Sequence, residues 1–397
     1  MTHVLLIVPI ASIATPTITS TVDSTASLRP WYSFNDPTLA THVRVADLLS
    51  RLTLHEKVGM MFMSADMAFG NDKLPKGGVD EPSTAIPRLG VPEFSWMGQG
   101  NVYRGASNGC TINCCSCYGE THNFSKCCHD GSATQFPQGT GVAATWNASA
   151  AFEMGRITSD ESRGMMHYSY ANGTSRRVAA DYRSGASSVI NILKDGRWGR
   201  APETYGECPV LTASIAVAFN KGLSGFASLD ARTREHGDRF KVLGVVRHFV
   251  AYAGPDSERF HFDARVSDDD LRLTFLPAWR ALAASGAMGG VMSAISALNG
   301  VPSVTDRTLL TGMLRGEWGY DGYVISDCDT VPSMELSYHW CAGLQQSVAA
   351  SALAGNDVNC GPQFADLINA TISGFIDEAA IDVAVTRLLR RRVQVER

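Results

Sequence analysis

From residue 42 onward, short apolar runs rich in Val, Ile, Phe and Met alternate with longer stretches whose apolar positions recur every three or four residues. The short runs predict strands over 60–63, 94–96, 188–192, 242–246, 290–292, 323–325 and 354–358, with a diffuse one before Phe136. The longer ones predict helices over 148–165, 208–226, 267–284, 345–354 and 377–395. The last of these repeats apolar residues at Ile381, Val385, Leu388 and Val393. Thr53-Leu54-His55-Glu56 has the form of a capping box and opens a further helical run into Val58. About eight strands separated by helices predict a single (β/α)8 barrel of the TIM type, over residues 40–397. An open doubly wound sheet is the alternative, but it calls for a Gly-rich phosphate turn, and no such turn follows any strand.

Composition changes this picture little. The 397 residues are 45% hydrophobic and 18% charged, with a net charge of −5, an ordinary balance for a globular chain. A nucleic-acid partner would call for a basic face, so none is expected. No run of 18 apolar residues marks a membrane span. Arg390-Arg391-Arg392 stands near the end of a helical pattern, where it is expected to complement the helix dipole and face solvent. Residues 4–14 form a short apolar run ahead of Thr/Ser/Pro-rich sequence, which reads residues 1–30 as a signal peptide or a disordered leader.

Six of the ten cysteines (Cys110, Cys114, Cys115, Cys117, Cys127 and Cys128) fall in a Gly/Ser/Asn-rich loop at 108–130. Their spacing lacks paired Cys-x₂-Cys units, which favours disulfides over zinc. Sequons at Asn123, Asn147, Asn172 and Asn369 fit the same extracellular setting. Histidines are scattered and mark no strand end in pairs, so neither a metal nor a cofactor is expected.

The chemistry is concentrated in Gly322-Tyr323-Val324-Ile325-Ser326-Asp327-Cys328-Asp329. Three apolar, β-favouring residues run into a carboxylate, which is how a buried parallel strand presents an acid at its C-terminal rim. The alternative role of Asp327 is to cap the next helix. Elsewhere in the chain stand Ala133-Thr134-Gln135-Phe136-Pro137-Gln138, Asn191-Ile192-Leu193-Lys194-Asp195-Gly196-Arg197-Trp198-Gly199-Arg200, Glu203-Thr204-Tyr205-Gly206-Glu207 and Arg247-His248-Phe249. Arg259-Phe260-His261-Phe262-Asp263, Asn299-Gly300-Val301-Pro302 and Gly355-Asn356-Asp357-Val358-Asn359-Cys360-Gly361-Pro362 follow. In type and order these segments closely resemble glycoside hydrolase family 3, and the Ser-Asp-Cys-Asp form is similar to its β-xylosidase and α-L-arabinofuranosidase branch.

The resemblance implies a (β/α)8 barrel and a retaining, exo-acting β-glycosidase acting on terminal xylosyl or related residues of an oligosaccharide or glycoside. It places Asp327 at the nucleophile position. Arg200, Arg247 and His248 fall at positions that hold sugar hydroxyls beside the nucleophile, and Gln99 and Glu203 are further candidates. Salt bridging to Glu203 or Glu207 is the plainer role for Arg200, and a backbone-bonded core position the plainer one for His248.

Several positions depart from the family pattern. Arg247 replaces a lysine, a planar fork for a compact ammonium. Ala294-Ile295-Ser296 replaces Ser-Tyr-Asn, and Gln99 replaces a sugar-binding glutamate. Retaining hydrolysis also needs a proton donor about 5 Å from the nucleophile. In two-domain members that donor comes from an α/β sandwich after the barrel, which is expected to be absent here. Asp256 and His261 could form the Asp–His dyad of other members, and Glu203, Glu207, Glu258 and Asp329 are substitutes without a motif. A catalytically impaired barrel that only binds carbohydrate is therefore the competing expectation.

Overall fold

In a computed structural model, residues 32–63, 83–97, 134, 136–171 and 183–395 are described. The leader, Gln99 and the cysteine-rich loop lie outside these residues, as do Asn123 and Asn172. Four strands, β2 (Ser184–Val189), β3 (Leu243–Phe249), β5 (Gly290–Ser293) and β8 (Tyr323–Ile325), form a parallel sheet in the order β2-β3-β5-β8, while β4 (Asp263–Ala264), β6 (Ala297–Leu298) and β7 (Val301–Pro302) form a small separate sheet. Helices lie between them in sequence, including Pro209–Ser224 between β2 and β3 and Pro277–Ser285 between β3 and β5. A parallel bridge from Ile325 to Val358 continues the arc to β9 (Asn359–Cys360), which pairs in parallel with β1 (Phe62–Met63). Beyond β1, the Trp96 indole donates to Met60 O (2.9 Å) and Trp96 O accepts from Ser184 Oγ (2.6 Å), so residues around Trp96 bridge β1 to β2.

Each residue of β3, β5 and β8 is buried, on both faces of the sheet. The two-residue period of a strand sends alternate side chains to different sides. Leu243, Val245, Met292, Tyr323 and Ile325 pack in one cluster with Met60, Trp96 and Val358. Val246, Val291 and Val324 pack in another with Phe219, Leu223, Trp279 and Leu282 of the covering helices. That is the layering of a parallel α/β fold.

Most predicted elements are present with shifted edges. The expected strand at 188–192 is Ser184–Val189, and that at 354–358 is Asn359–Cys360 with Val358 only bridged. Phe94 makes a single antiparallel bridge to Ser83, and the strand expected before Phe136 falls, apart from Thr134, outside the described residues. The helix expected over 267–284 is interrupted: a π turn (Leu271–Phe275) closes with Leu276 N donating to Leu271 O, and Pro277, which has no N–H, restarts an α-helix. The Thr53–Glu56 capping box forms as read.

One surface assignment is overturned. Arg391 and Arg392 are buried, not solvent-facing. Arg391 donates to Gly289 O (3.1 Å), Gln394 Oε1 (2.6 Å) and Asp321 Oδ1 (2.7 Å), and Arg392 donates to Pro92 O and lies over the Phe94 ring. Both close the core where the final helix (Glu378–Val395) ends, donating to the buried carbonyls of Gly289, just before β5, and of Pro92.

Candidate active site

The site is built where β8 stops. Ser326 N donates to Val358 O (2.9 Å), so the ladder runs one residue past the strand and then releases the Asp327 side chain. Cys328 N donates to Asp327 Oδ1 (2.8 Å), and Cys328 is disulfide-bonded to Cys360 of β9. The residue after the carboxylate is thus tied covalently to the neighbouring strand. Asp327 is 6% exposed, and its Oδ2 has no hydrogen-bond partner.

The end of β3 supplies Arg247 and His248, at a point where the register against β5 shifts. Asn191, just past β2, clamps this corner. It donates to His248 O (2.8 Å) and accepts His248 N–H (2.8 Å) through Oδ1. Arg200 follows β2 on a loop, and its Nε and Nη2 donate to Glu203 (2.7 and 2.9 Å) while Nη1 lies 3.0 Å from His248 Nε2. Arg247 Nη2 is 3.5 Å from Glu203 Oε2, and His248 Nε2 is 3.7 Å from Asp327 Oδ2. Arg200, Arg247, His248, Glu203 and Asp327 therefore form one connected cluster.

Guanidinium nitrogens only donate, so His248 Nε2 must accept from Arg200 and be unprotonated. The ring proton sits on Nδ1, 3.3 Å from Asn191 Oδ1. Burial, with Arg200, Arg247 and Arg259 around it, holds His248 well below the usual histidine range. The His248–Asp327 approach is then a contact between a neutral ring and a carboxylate, not an ion pair. Burial pushes Asp327 up, against the pull of Arg200, Arg259, the Cys328 N–H and Arg247. Asp329, in a left-handed conformation (φ 62°), is pushed up to about 6 by burial and by Asp327, with Arg259 opposing.

The other candidates are dispersed. Glu207 and Glu258 are exposed, as are Asp256 and His261 on the loop after β3. Ala294, Ile295 and Ser296 are buried beneath the site. Sequence reading missed Asn191 as the clamp, Arg259 as a charge facing Asp327, and the buried pair Trp198 and Tyr252. Tyr252 meets His248 edge-on (centroids 5.4 Å) and Trp198 likewise (5.4 Å). Asn191 and Trp198 stood inside recognised segments, whereas nothing in the spacing of Tyr252 marks it. Among the described residues no group of His, Cys, Asp or Glu is placed to hold a metal, and no helix is long and apolar enough to cross a membrane.

Comparison with known proteins bears on this geometry. Residues 126–391 match the glycosyl hydrolase family 3 N-terminal domain. β-D-xylosidase 1 of Arabidopsis thaliana is 31% identical, over 93% of this chain and 43% of that protein. β-Xylosidase/α-L-arabinofuranosidase 1 of Medicago sativa subsp. varia is 32% identical, over 89% of this chain and 40% of its own length. The fold is similar to a family 3 exo-β-xylosidase solved with a xylobiose aziridine activity-based probe (TM-score 0.71, 23% identity, 91% of this chain and 41% of that one). It is also similar to β-glucosidase 3B from Thermotoga neapolitana in complex with glucose (TM-score 0.62, 24% identity, 86% and 41%). The chain spans about two fifths of the length of these relatives. A match over most of the chain, together with the strand-end carboxylate and its Arg–His surround, places this protein in glycosyl hydrolase family 3.

Proposed function

We propose that the protein acts in retaining, exo-type hydrolysis of β-xylosides or related glycosides, with Asp327 as the nucleophile. One observation carries the proposal: a buried carboxylate at the end of β8, with one oxygen fixed by the Cys328 N–H and the other left without a partner. A nucleophile needs one oxygen oriented and one free to attack. In this reading Arg200, Arg247, His248 and Glu203, with Gln99, meet the sugar, and the parallel arc closes into a (β/α)8 barrel whose rim holds the site. Xylosidases among the relatives support the sugar class.

Extracellular location is part of the same proposal. The Cys328–Cys360 disulfide and the exposed sequons at Asn147 and Asn369 support it.

A 2-fluoro xyloside with a good leaving group tests the nucleophile. The fluorine slows release of the glycosyl-enzyme, so mass spectrometry is expected to find one adduct, on Asp327, and none on Asp327→Ala. An adduct on another carboxylate would remove Asp327 from the role. A second reading, a barrel that binds carbohydrate without turnover, draws on the burial of Ala294-Ile295-Ser296 where the family carries an aromatic and an amide. Binding of xylose-configured inhibitors with no labelling would favour it.

A further inference from the structure

Tyr252 is fully buried, and its hydroxyl has no hydrogen-bond partner. Buried polar groups are nearly always paired, so an orphaned phenol against His248 calls for an explanation. Its surroundings supply one. The ring is wedged edge-on between His248 and Trp198, and the Arg200 guanidinium lies 6.0 Å from its centroid. The Trp198 indole N–H is likewise buried and unpartnered. Tyr252, Trp198 and Ile295 share a small cluster separate from the two large ones. Two orphaned donors and the unpartnered Asp327 Oδ2 thus belong to one corner of the molecule, the corner that a pyranose must enter to be attacked.

Building on the proposed glycosidase reading, we propose that Tyr252 is a substrate-contacting residue that selects the sugar, its hydroxyl donating a hydrogen bond to a hydroxyl of the ring held against Asp327. Burial keeps the phenol protonated, above its ordinary range, even though Arg259 and Arg200 oppose this, so it is held as a donor. A site that keeps a buried donor for one hydroxyl discriminates strongly against the sugar lacking it, because the donor is then left unpaired.

Calorimetric binding of a xylose-configured iminosugar and its monodeoxy analogues, to the full chain and to Tyr252→Phe, tests this. In the unaltered protein one deoxy analogue is expected to bind roughly tenfold or more weakly than the parent. In Tyr252→Phe the parent is expected to weaken by a similar factor, and that same analogue to lose nothing further. A thermal melt within a few degrees of the unaltered protein shows that the ring still packs.

Additive losses, or unchanged binding in Tyr252→Phe, would overturn the assignment. So would absence of any sugar binding to the unaltered protein. Labelling of Asp327 by the 2-fluoro xyloside is read separately. Binding that depends on Tyr252 without labelling would sink the nucleophile and leave the tyrosine contact standing.

Discussion

Arg200 decides what His248 can do. By donating to Nε2 it fixes the neutral tautomer, and the same act leaves Asp327 Oδ2 without a donor from the ring. The strand-end carboxylate was readable in the sequence because three apolar residues precede it. The tautomer was not, since it depends on residues 48 positions apart.

Linkage gives a signed prediction. A carboxyl raised by folding favours the fold at pH below its ordinary value near 3.8, and that benefit disappears as pH rises through the folded value. Once ionised, Asp327 is therefore a cost to the fold, on the order of 1–3 kcal/mol for a poorly paired buried group. Asp327→Asn is expected to raise the urea midpoint at pH 7, and the gain should shrink as pH falls towards 3.8. His248 runs the other way. Its lowered value means stability is intact above 6.5 and is lost as pH falls below it. Urea titrations between pH 3 and 8 that show a constant gain for Asp327→Asn would contradict the burial argument.

At the scale of elements, β8 is held by a buried ion cluster. Asp357 accepts from Val324 N (2.8 Å), Arg315 (2.6 Å) and Arg387 (2.9 Å), and its own N–H donates to Val324 O (2.7 Å). One carboxylate thus ties β8 to the helical segment Thr308–Glu317 and to the final helix. Removing it leaves the largely buried Arg315 and the half-buried Arg387 without their counter-charge. Asp357→Ala is expected to cost about 3–5 kcal/mol, measured by denaturant unfolding. A loss under about 1 kcal/mol would show that the cluster is not needed to hold the strand.

Helix contact is as specific. Gly155 and Gly222 lie where the helices Ala148–Ala171 and Pro209–Ser224 touch, and a Cβ at either would fall within 2.1 Å of the other helix's backbone. Gly155→Ala should therefore destabilise by about 1–3 kcal/mol, even though alanine favours helix elsewhere. A thermal melt showing stabilisation would reverse that conclusion.

Long periodic elements were legible in the sequence; short ones were not. Asn299 and Gly300, both at positive φ, form the two-residue turn of a hairpin pairing Ala297–Leu298 with Val301–Pro302. Asn-Gly is a strong hairpin signal, but two-residue strands give too few positions for an alternation to show. Arg391 and Arg392 misled for a related reason: charge pattern near a helix end predicts solvent, and only tertiary contact reveals the carbonyls awaiting them.

For the molecule as a whole, the order of the segments carried more than any one of them, and the family match over residues 126–391 agrees with it. Disulfide pairing was beyond sequence, because ten cysteines permit many connectivities. Cys328–Cys360 pairs residues 32 apart in sequence that adjacent strands bring together.

Proton supply is the remaining question at this scale. Of the carboxyls near Asp327 among the described residues, Glu203 is held by Arg200 and Arg247, and only Asp329 is raised, to about 6. It is therefore largely ionised at neutral pH. General acid help is worth roughly 10² to 10⁴ in rate when the leaving group is a sugar hydroxyl, and little when it is a dinitrophenolate. Residues 1–397 are expected to react with dinitrophenyl xylosides at pH 7 while leaving xylobiose almost untouched. Added azide, a nucleophile that needs no base, should then speed turnover. Efficient xylobiose hydrolysis that rises below pH 6 and disappears in Asp329→Asn would instead make Asp329 the proton donor. No reaction with any activated xyloside, in folded protein, would instead favour the reading of a chain that binds sugar without cleaving it.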